Sequence, residues 1–327
     1  MRCLALFSGG LDSQIAVRMM QRQGIEVVGV YVETPFTLRA SEIAPVAGKL
    51  GIPLHVLPWH DDYLAIVRQP RFGFAEGMAP CLDCRSGMLQ RAHSLLAPLD
   101  ASFLISGEVV GQRPSSLRLR DLETMAYHGG VEDLLLRPLS AQLLPETLPE
   151  RQGWVDRSLL HAWQGKGRKA QLGVAREAGL SLDLEQAARC KLLDATYASR
   201  LRRLLQLTPS PTPFQLASLG EGRHFQLAGG THLVVSKNAL QADLLRNRWE
   251  LQPSTSGAVL QPSDFRGPIG FLTGTVDDHR LAVAASILAA HAKDAVPGES
   301  SVAWTSQSPG QMNVPANSLA SEAQPWQ

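Results

Sequence analysis

The sequence predicts an α/β protein, a parallel sheet flanked by helices, followed by a smaller C-terminal α+β domain. Three observations predict it. Short apolar runs alternate with helical periodicity through the N-terminal part, the first run is stopped by a glycine turn that opens a helix, and from Phe225 the texture changes to short strands separated by glycines. Residues 3–7 (CLALF) form the first strand. Ser8-Gly9-Gly10 stops it, and Leu11, Ile15, Ala16, Met19 and Met20 then recur at helical spacing up to Gly24. A second apolar run over 27–32 follows at once, and two parallel strands joined by one amphipathic helix make a βαβ unit. The alternation continues with a helix over 42–50, a strand over 54–57, a helix over 85–96 and a strand over 103–105. Residues 140–155, with two prolines and a glycine, break the periodicity and read as a connection. A helix over 168–178 is stopped by Gly179, and the pieces FQLA and HLVVS around Gly229-Gly230 read as a hairpin.

These elements divide the chain into a nucleotide-binding domain over 1–160, a basic helical connection over 161–205 and a small α+β domain over 206–292. The remaining residues, 293–327, contain two Glu and no Lys or Arg after Asp294 and read as a disordered tail. The 327 residues carry 31 Lys and Arg against 30 Asp and Glu, a net charge of +1, so any nucleic-acid contact must come from a local patch. No apolar run approaches the roughly 18 residues of a membrane span, and the N-terminus lacks a signal peptide's apolar region, so a cytoplasmic protein is expected. Such a patch exists. Residues 151–205 hold eleven Lys or Arg against five Asp or Glu, with Lys166, Arg168 and Lys169 near Trp163, and Arg200, Arg202 and Arg203 beyond; cations beside an aromatic suit RNA.

Ser8-Gly9-Gly10-Leu11-Asp12-Ser13 is the most informative stretch. Glycines let backbone N–H groups approach an anion, the helix N-terminus adds positive potential, and the serine hydroxyls donate to phosphate oxygens. Asp12 suits such a loop when it holds a magnesium ion bridging the phosphates. Gly107 and Glu108 follow the 103–105 strand at the edge where ligands of open α/β sheets bind, with Glu108 a second candidate for magnesium and Gln112 and Arg113 for phosphate or nucleoside. The four cysteines are too few for a disulfide scaffold. Cys3 belongs to the first strand. Cys81 and Cys84, placed just before a helix and beside Arg85, are expected to have lowered pKa values. With Cys190 they make three thiols, enough to hold a [4Fe–4S] cluster with one iron open, or to carry a persulfide and resolve it as a disulfide.

Ser-Gly-Gly-Leu-Asp-Ser directly after the first strand resembles the signature of the PP-loop ATP pyrophosphatases, of the adenine nucleotide alpha-hydrolase-like fold. Those enzymes cleave ATP between its α and β phosphates and adenylate a substrate oxygen. The blocks Ser106–Ser115, Leu136–Thr147 and Pro149–Arg157 are similar to a bacterial branch related to the tRNA 2-thiouridylases and 4-thiouridine synthetases. Residues after about 200 are similar to an RNA-associated domain of ribosome quality-control proteins. The branch carries a glycine-rich segment at its third cysteine, where this chain has Gln186-Ala-Ala-Arg-Cys190. The resemblance implies ATP and Mg²⁺ as cofactors, adenine near residues 32–36, tRNA as partner, and sulfide or a persulfide carrier as sulfur donor. It leaves two rivals open: a PP-loop amidase or synthetase that adenylates a carboxylate, and a non-catalytic nucleotide- or RNA-binding homologue.

Overall fold

The computed structural model describes residues 1–37, 39–60, 62–113, 117–180, 190–251, 256–306, 308–315 and 319–326, and the chain divides into two units, Met1–Leu193 and Asp194–Gln327. In the first unit, β1 (Arg2–Leu6), α1 (Leu11–Arg22), β2 (Glu26–Glu33), α2 (Ala40–Leu50) and β3 (Leu54–Pro58) follow the expected order. Next come α3 (Tyr63–Arg68), α4 (Cys81–His93), β4 (Phe103–Ser106), α5 (Leu119–Gly129), β5 (Leu135–Leu136), α6 (Leu148–Arg151) and α7 (Lys169–Glu177). The five strands pair in parallel in the order β3-β2-β1-β4-β5. Strands of such a sheet are buried on both faces, which is why Cys3–Ala5 of β1 and Phe103–Ile105 of β4 are continuous buried apolar runs rather than alternating. The chain leaves β1 toward β2 on one side and finds β4 on the other, so the strand order reverses between β1 and β4. A crevice therefore opens at their carboxyl ends.

Two expectations change in this unit. The helix expected from residue 85 begins at Cys81, directly after Pro80, so both cysteines lie in its first turn rather than ahead of it. Asp83 supplies the negative charge that a first turn favours. The connection over 140–155 also contains α6, whose Thr147 and Glu150 form a reciprocal capping box with Pro149 in the first turn. The Thr-x-x-Glu spacing carried that signal, and the prolines masked it.

The second unit holds α8 (Ala195–Leu207), α9 (Pro213–Ser218), β6 (Arg223–Gln226), β7 (His232–Val235), α10 (Ala239–Glu250), β8 (Gly257–Pro262) and β9 (Gly270–Thr273). It ends with α11 (Asp278–Ala290), β10 (Ser301–Thr305), β11 (Gly310–Asn313) and β12 (Gln324–Pro325). Its seven strands run antiparallel in the order β11-β10-β8-β9-β7-β6-β12. The expected hairpin is present, with Phe225 opposite Leu233. Alternate residues face opposite sides: Leu233, Leu272 and Leu260 meet α11, while Val234 and Phe271 meet Phe214 and Trp249.

The tail over 293–327 is therefore not disordered in its described residues. Val302 is fully buried opposite Pro262, Val314 is buried, and Trp326 stacks on His232 at 4.4 Å. A segment too poor in apolar residues to build its own core can still add strands to an existing sheet, and that is the physical reason the composition misleads. The connection over 161–205 is likewise divided. Trp163, Leu172, Val174 and Ala175 pack on the core of the first unit, whereas α8 belongs to the second.

His224 and His232 are buried and share a hydrogen bond of 2.9 Å between Nδ1 and Nε2. His224 Nε2 donates to the Glu221 carbonyl at 2.7 Å, so His224 Nδ1 accepts from His232 and both rings are neutral. Burial, reinforced for His232 by the Arg200 charge, pushes the His232 pKa down to about 3 and that of His224 well below its ordinary value. The unfolded chain takes up protons on these rings near its ordinary value of about 6.5, before the folded one does. Stability of the second unit is then constant above that pH and is lost progressively below it. Hydrogen-exchange protection of β6 and β7, corrected for intrinsic exchange rates, is expected to fall between pH 7 and 5; constant protection would contradict the neutral pair.

Candidate functional site

Residues 8–13 leave β1 and enter α1 at the crevice. Gly9 sits at φ +71°, and a side chain there would also crowd Ile43 at 3.3 Å, so the turn requires glycine. Gly10 is the N-cap and makes no side-chain cap, which leaves the first amides of α1 without an intrahelical acceptor. Ser13 Oγ donates to the Gly10 carbonyl at 2.7 Å, and Gln14 Nε2 donates to the Gly9 carbonyl at 2.9 Å, fixing the turn from inside. Asp12 Oδ2 accepts from Gln112 Nε2 at 2.9 Å and lies 3.7 Å from Arg168. Its Oδ1 is buried with no protein partner, as is Arg168 Nε. A carboxylate oxygen kept without a protein partner is a donor that fits a magnesium ion. Arg168, expected at an RNA surface, is thus turned toward the loop.

Gly107 and Glu108 join this loop to the cysteine helix. A Cβ on Gly107 would lie 2.5 Å from Ser13 N and 2.6 Å from the Asp12 carbonyl carbon, so only glycine lets β4 approach the start of α1 this closely. Glu108 Oε1 accepts from Arg85 at 2.9 Å, and Oε2 accepts from Arg137 at 2.9 Å and Ser106 at 3.1 Å. Burial works to raise its pKa, but the Arg137 and Arg85 charges outweigh burial and hold it below the usual carboxylate range. With both oxygens engaged, Glu108 is a clamp on two guanidinium groups and not the magnesium ligand expected from the sequence.

Arg85 follows Cys84 directly. Cys81, Cys84 and Cys190 come close enough that their charges bear on one another and on Tyr63, whose hydroxyl lies 3.2 Å from Cys84 Sγ. The Met78 amide bonded to the Leu192 carbonyl at 2.9 Å brings the third cysteine to the other two. The expected lowering is reversed at Cys84: burial pushes it up to about 12 against the opposing pulls of Tyr63 and Arg85, and burial pushes Cys190 up to about 11 against the Leu192 amide and Arg113. Arg85 does pull Cys84 down, as its place in the sequence suggests, but burial outweighs it. Cys3 is fully buried in β1 and raised by burial alone, as a core residue should be. Among the described residues no group of three or more His, Cys, Asp or Glu is placed to hold a metal ion. Arg189 and the segment 186–189 lie outside the described residues, as do Pro114 and Ser115.

The remaining expected contacts separate. Lys166 and Lys169 are exposed, while Trp163 stacks on His161 at 4.1 Å against the core. Arg200 is buried and donates to the Leu219 carbonyl at 2.8 Å, because the period of α8 turns residues 197, 200, 201 and 204 inward; it is not an RNA contact. Arg202 is exposed, and Arg203 is tied to Gln226 and Gln324 beside Trp326. Residues 32–36 end in Phe36, buried against Tyr63 with ring centroids 5.8 Å apart. What the sequence reading missed is the bridge from Val110 to the 163–165 segment: Ser140 Oγ accepts from Val110 N and donates to the Trp163 carbonyl, setting Arg168 beside the loop. A cavity of about 570 Å³ between α5 and the residues after β5 is rimmed by Glu123, Glu132, Asp133 and Glu146, a lining that repels a polyphosphate.

Comparison with known proteins agrees with this division. Residues 1–142 match the family model described as thiamine biosynthesis protein (ThiI), and residues 222–326 match the NFACT protein RNA binding domain. A protein of Methanothermobacter thermautotrophicus named "Probable tRNA sulfurtransferase" is 29% identical over 169 residues, 49% of this chain and 42% of its own length. The tRNA-specific 2-thiouridylase MnmA of Corynebacterium kroppenstedtii is 34% identical over 101 residues, 26% of this chain and 27% of its own. The chain thus spans less than half the length of either relative. A solved complex of a 4-thiouridine synthetase with RNA and bound ATP superposes with a TM-score of 0.39 at 18% identity, over 67% of this chain and 51% of that one.

Replacing Glu108 by Gln leaves two largely buried guanidinium groups without a charged acceptor and is expected to destabilise the first unit by about 3 kcal/mol at pH 7. Because the folded pKa of Glu108 is depressed, its contribution is complete above the unfolded value near 4.5 and is lost as pH falls through the folded one. Denaturant unfolding of the two proteins should therefore differ at neutral pH and converge in acid; equal stability at pH 7 would refute the clamp.

Proposed function

We propose that this chain, with a ThiI-family domain in residues 1–142 and an NFACT RNA binding domain in residues 222–326, is a cytoplasmic, ATP-dependent tRNA sulfurtransferase. The observation that carries the reading is the joint at Gly107 and Glu108. One residue touches the 8–13 loop and the next holds the arginine beside Cys84, so two adjacent residues tie that loop to the cysteine helix, which supports a single site. In this reading the free amides of α1, with Ser8 and Ser13, receive the phosphates of ATP, and Arg168 lies within reach of the departing pyrophosphate. A magnesium ion on Asp12 would supply neutralising charge there. A uridine carbonyl oxygen attacks the α phosphate, pyrophosphate leaves, and the poor leaving group becomes AMP.

Sulfur transfer then falls to Cys81, Cys84 and Cys190. The terminal sulfur of a persulfide on one of them attacks the activated carbon, and the carbon–oxygen bond to AMP breaks. A second thiolate attacks the inner sulfur, the S–S bond breaks, and the resulting disulfide is returned to thiols by an external thiol reductant. Cys84 and Cys190 rest as protonated thiols at neutral pH, and Arg113 favours the thiolate of Cys190. Residues 222–326 and the exposed Lys166 and Lys169 serve the tRNA.

Two substitutions test the halves separately. Asp12→Ala is expected to reduce ATP–pyrophosphate exchange about 100-fold, and unchanged exchange would remove the loop from the chemistry. Cys81→Ser should abolish thiolation of tRNA while pyrophosphate release continues. Retained thiolation would remove Cys81 from the sulfur chemistry.

A further inference from the structure

Beside the cysteine helix lies a group of exposed aromatic and cationic side chains that the chemistry above does not use. Phe72, Phe74 and Tyr127 are 36%, 43% and 64% exposed, large apolar surfaces that a folded chain gains nothing by showing to water. The Arg71 guanidinium lies 5.6 Å from the centroid of Phe72, and its NH1 is 3.3 Å from His128 Nδ1. Phe72 and His128 approach to 5.0 Å, and Tyr127 meets His128 edge-on at the same distance. The loop that carries Arg71 and Phe72 turns through Gly73 at φ +73° and is not loosely attached. Asp83, the residue between Leu82 and Cys84 in the Cys-x-x-Cys stretch, accepts the amides of Arg71 and Phe72 at 3.1 Å each. The aromatic group is therefore fixed to the same helical turn as the two thiols.

We propose that Arg71, Phe72, Tyr127 and His128 form a stacking platform for an unpaired nucleotide of the RNA substrate, flanking the base presented to the cysteines. The inference rests on the sulfur-transfer reading and adds to it the residues that hold the target strand. Aromatic faces beside a guanidinium match what a single strand offers, flat bases and a phosphate every residue. The stretch 68–74 contributes two arginines, two phenylalanines and no carboxylate, whereas Tyr127 and His128 also line the cavity rimmed by Glu123, Glu132, Asp133 and Glu146, a side that repels phosphate. The phosphates then run along the Arg71 side and the bases lie over Phe72 and Tyr127. An unpaired strand is the form in which a uridine can reach thiols that are themselves partly buried.

The test is photo-crosslinking of the full-length protein to a single-stranded oligouridylate carrying one 5-iodouridine, with the crosslinked peptides mapped by mass spectrometry. Crosslinks at Phe72, Tyr127 or His128 are expected, and the Phe72→Ala/Tyr127→Ala double variant should lose about 90% of the yield at those peptides while its ATP affinity stays unchanged. Arg71→Ala should weaken binding and reduce the slope of log affinity against log salt by about 0.7. Crosslinks confined to other peptides would overturn the platform. So would a double variant that loses sulfur transfer from a protein persulfide donor but keeps its crosslinks and its use of a small-molecule persulfide, since the surface would then receive the donor. If the crosslinks appear as expected but ATP–pyrophosphate exchange is absent, the platform stands and the sulfur-transfer reading fails.

Discussion

The arrangement depends on one carboxylate. Glu108 leaves β4 one residue beyond the glycine that touches α1, and it holds Arg85 from the cysteine helix and Arg137 from the residue after β5. A buried carboxylate is costly unless it is paired and hydrogen-bonded. Here each oxygen has a guanidinium donor, and the result is a cross-brace among three segments that meet at the end of the sheet. Remove the brace and the loop, the thiols and the Arg137 segment lose their common reference.

Burial settles the electrostatics of the cysteines. Arg85 draws the pKa of Cys84 down, but by less than burial raises it. Cys84 and Cys190 are thus held as thiols. Thiols that are half-buried and protonated resist oxidation and stray alkylation better than exposed thiolates do. The arrangement is suited to a site whose sulfur chemistry should begin only once a substrate has entered.

Much of the first unit was legible because its signals are local. The Ser-Gly-Gly turn, the apolar strands and the helical periods each announce their own element, and the parallel order follows from βαβ connections. The loop residues 8–13 and the grouping of three cysteines could be read in the same way. Glu108 could be placed at the site but not given its role, since nothing in the sequence shows that Arg85 and Arg137 converge on it. Arg168 and Arg200 were read as surface charges for the same reason: a guanidinium's partner is a matter of tertiary approach. The strands over 301–305, 310–313 and 324–325 were missed because their burial is supplied by a sheet built from residues far away in the chain.

Loop and thiols as parts of one site require that the oxygen leaving the base depart as part of AMP. Incubating the protein with ATP, a sulfur donor and tRNA labelled with ¹⁸O at the uridine carbonyls, then weighing the AMP by mass spectrometry, follows that oxygen directly. One labelled oxygen in AMP for each thiouridine formed is the result this account predicts. Thiouridine formed with unlabelled AMP, or AMP released without any thiouridine, would contradict it.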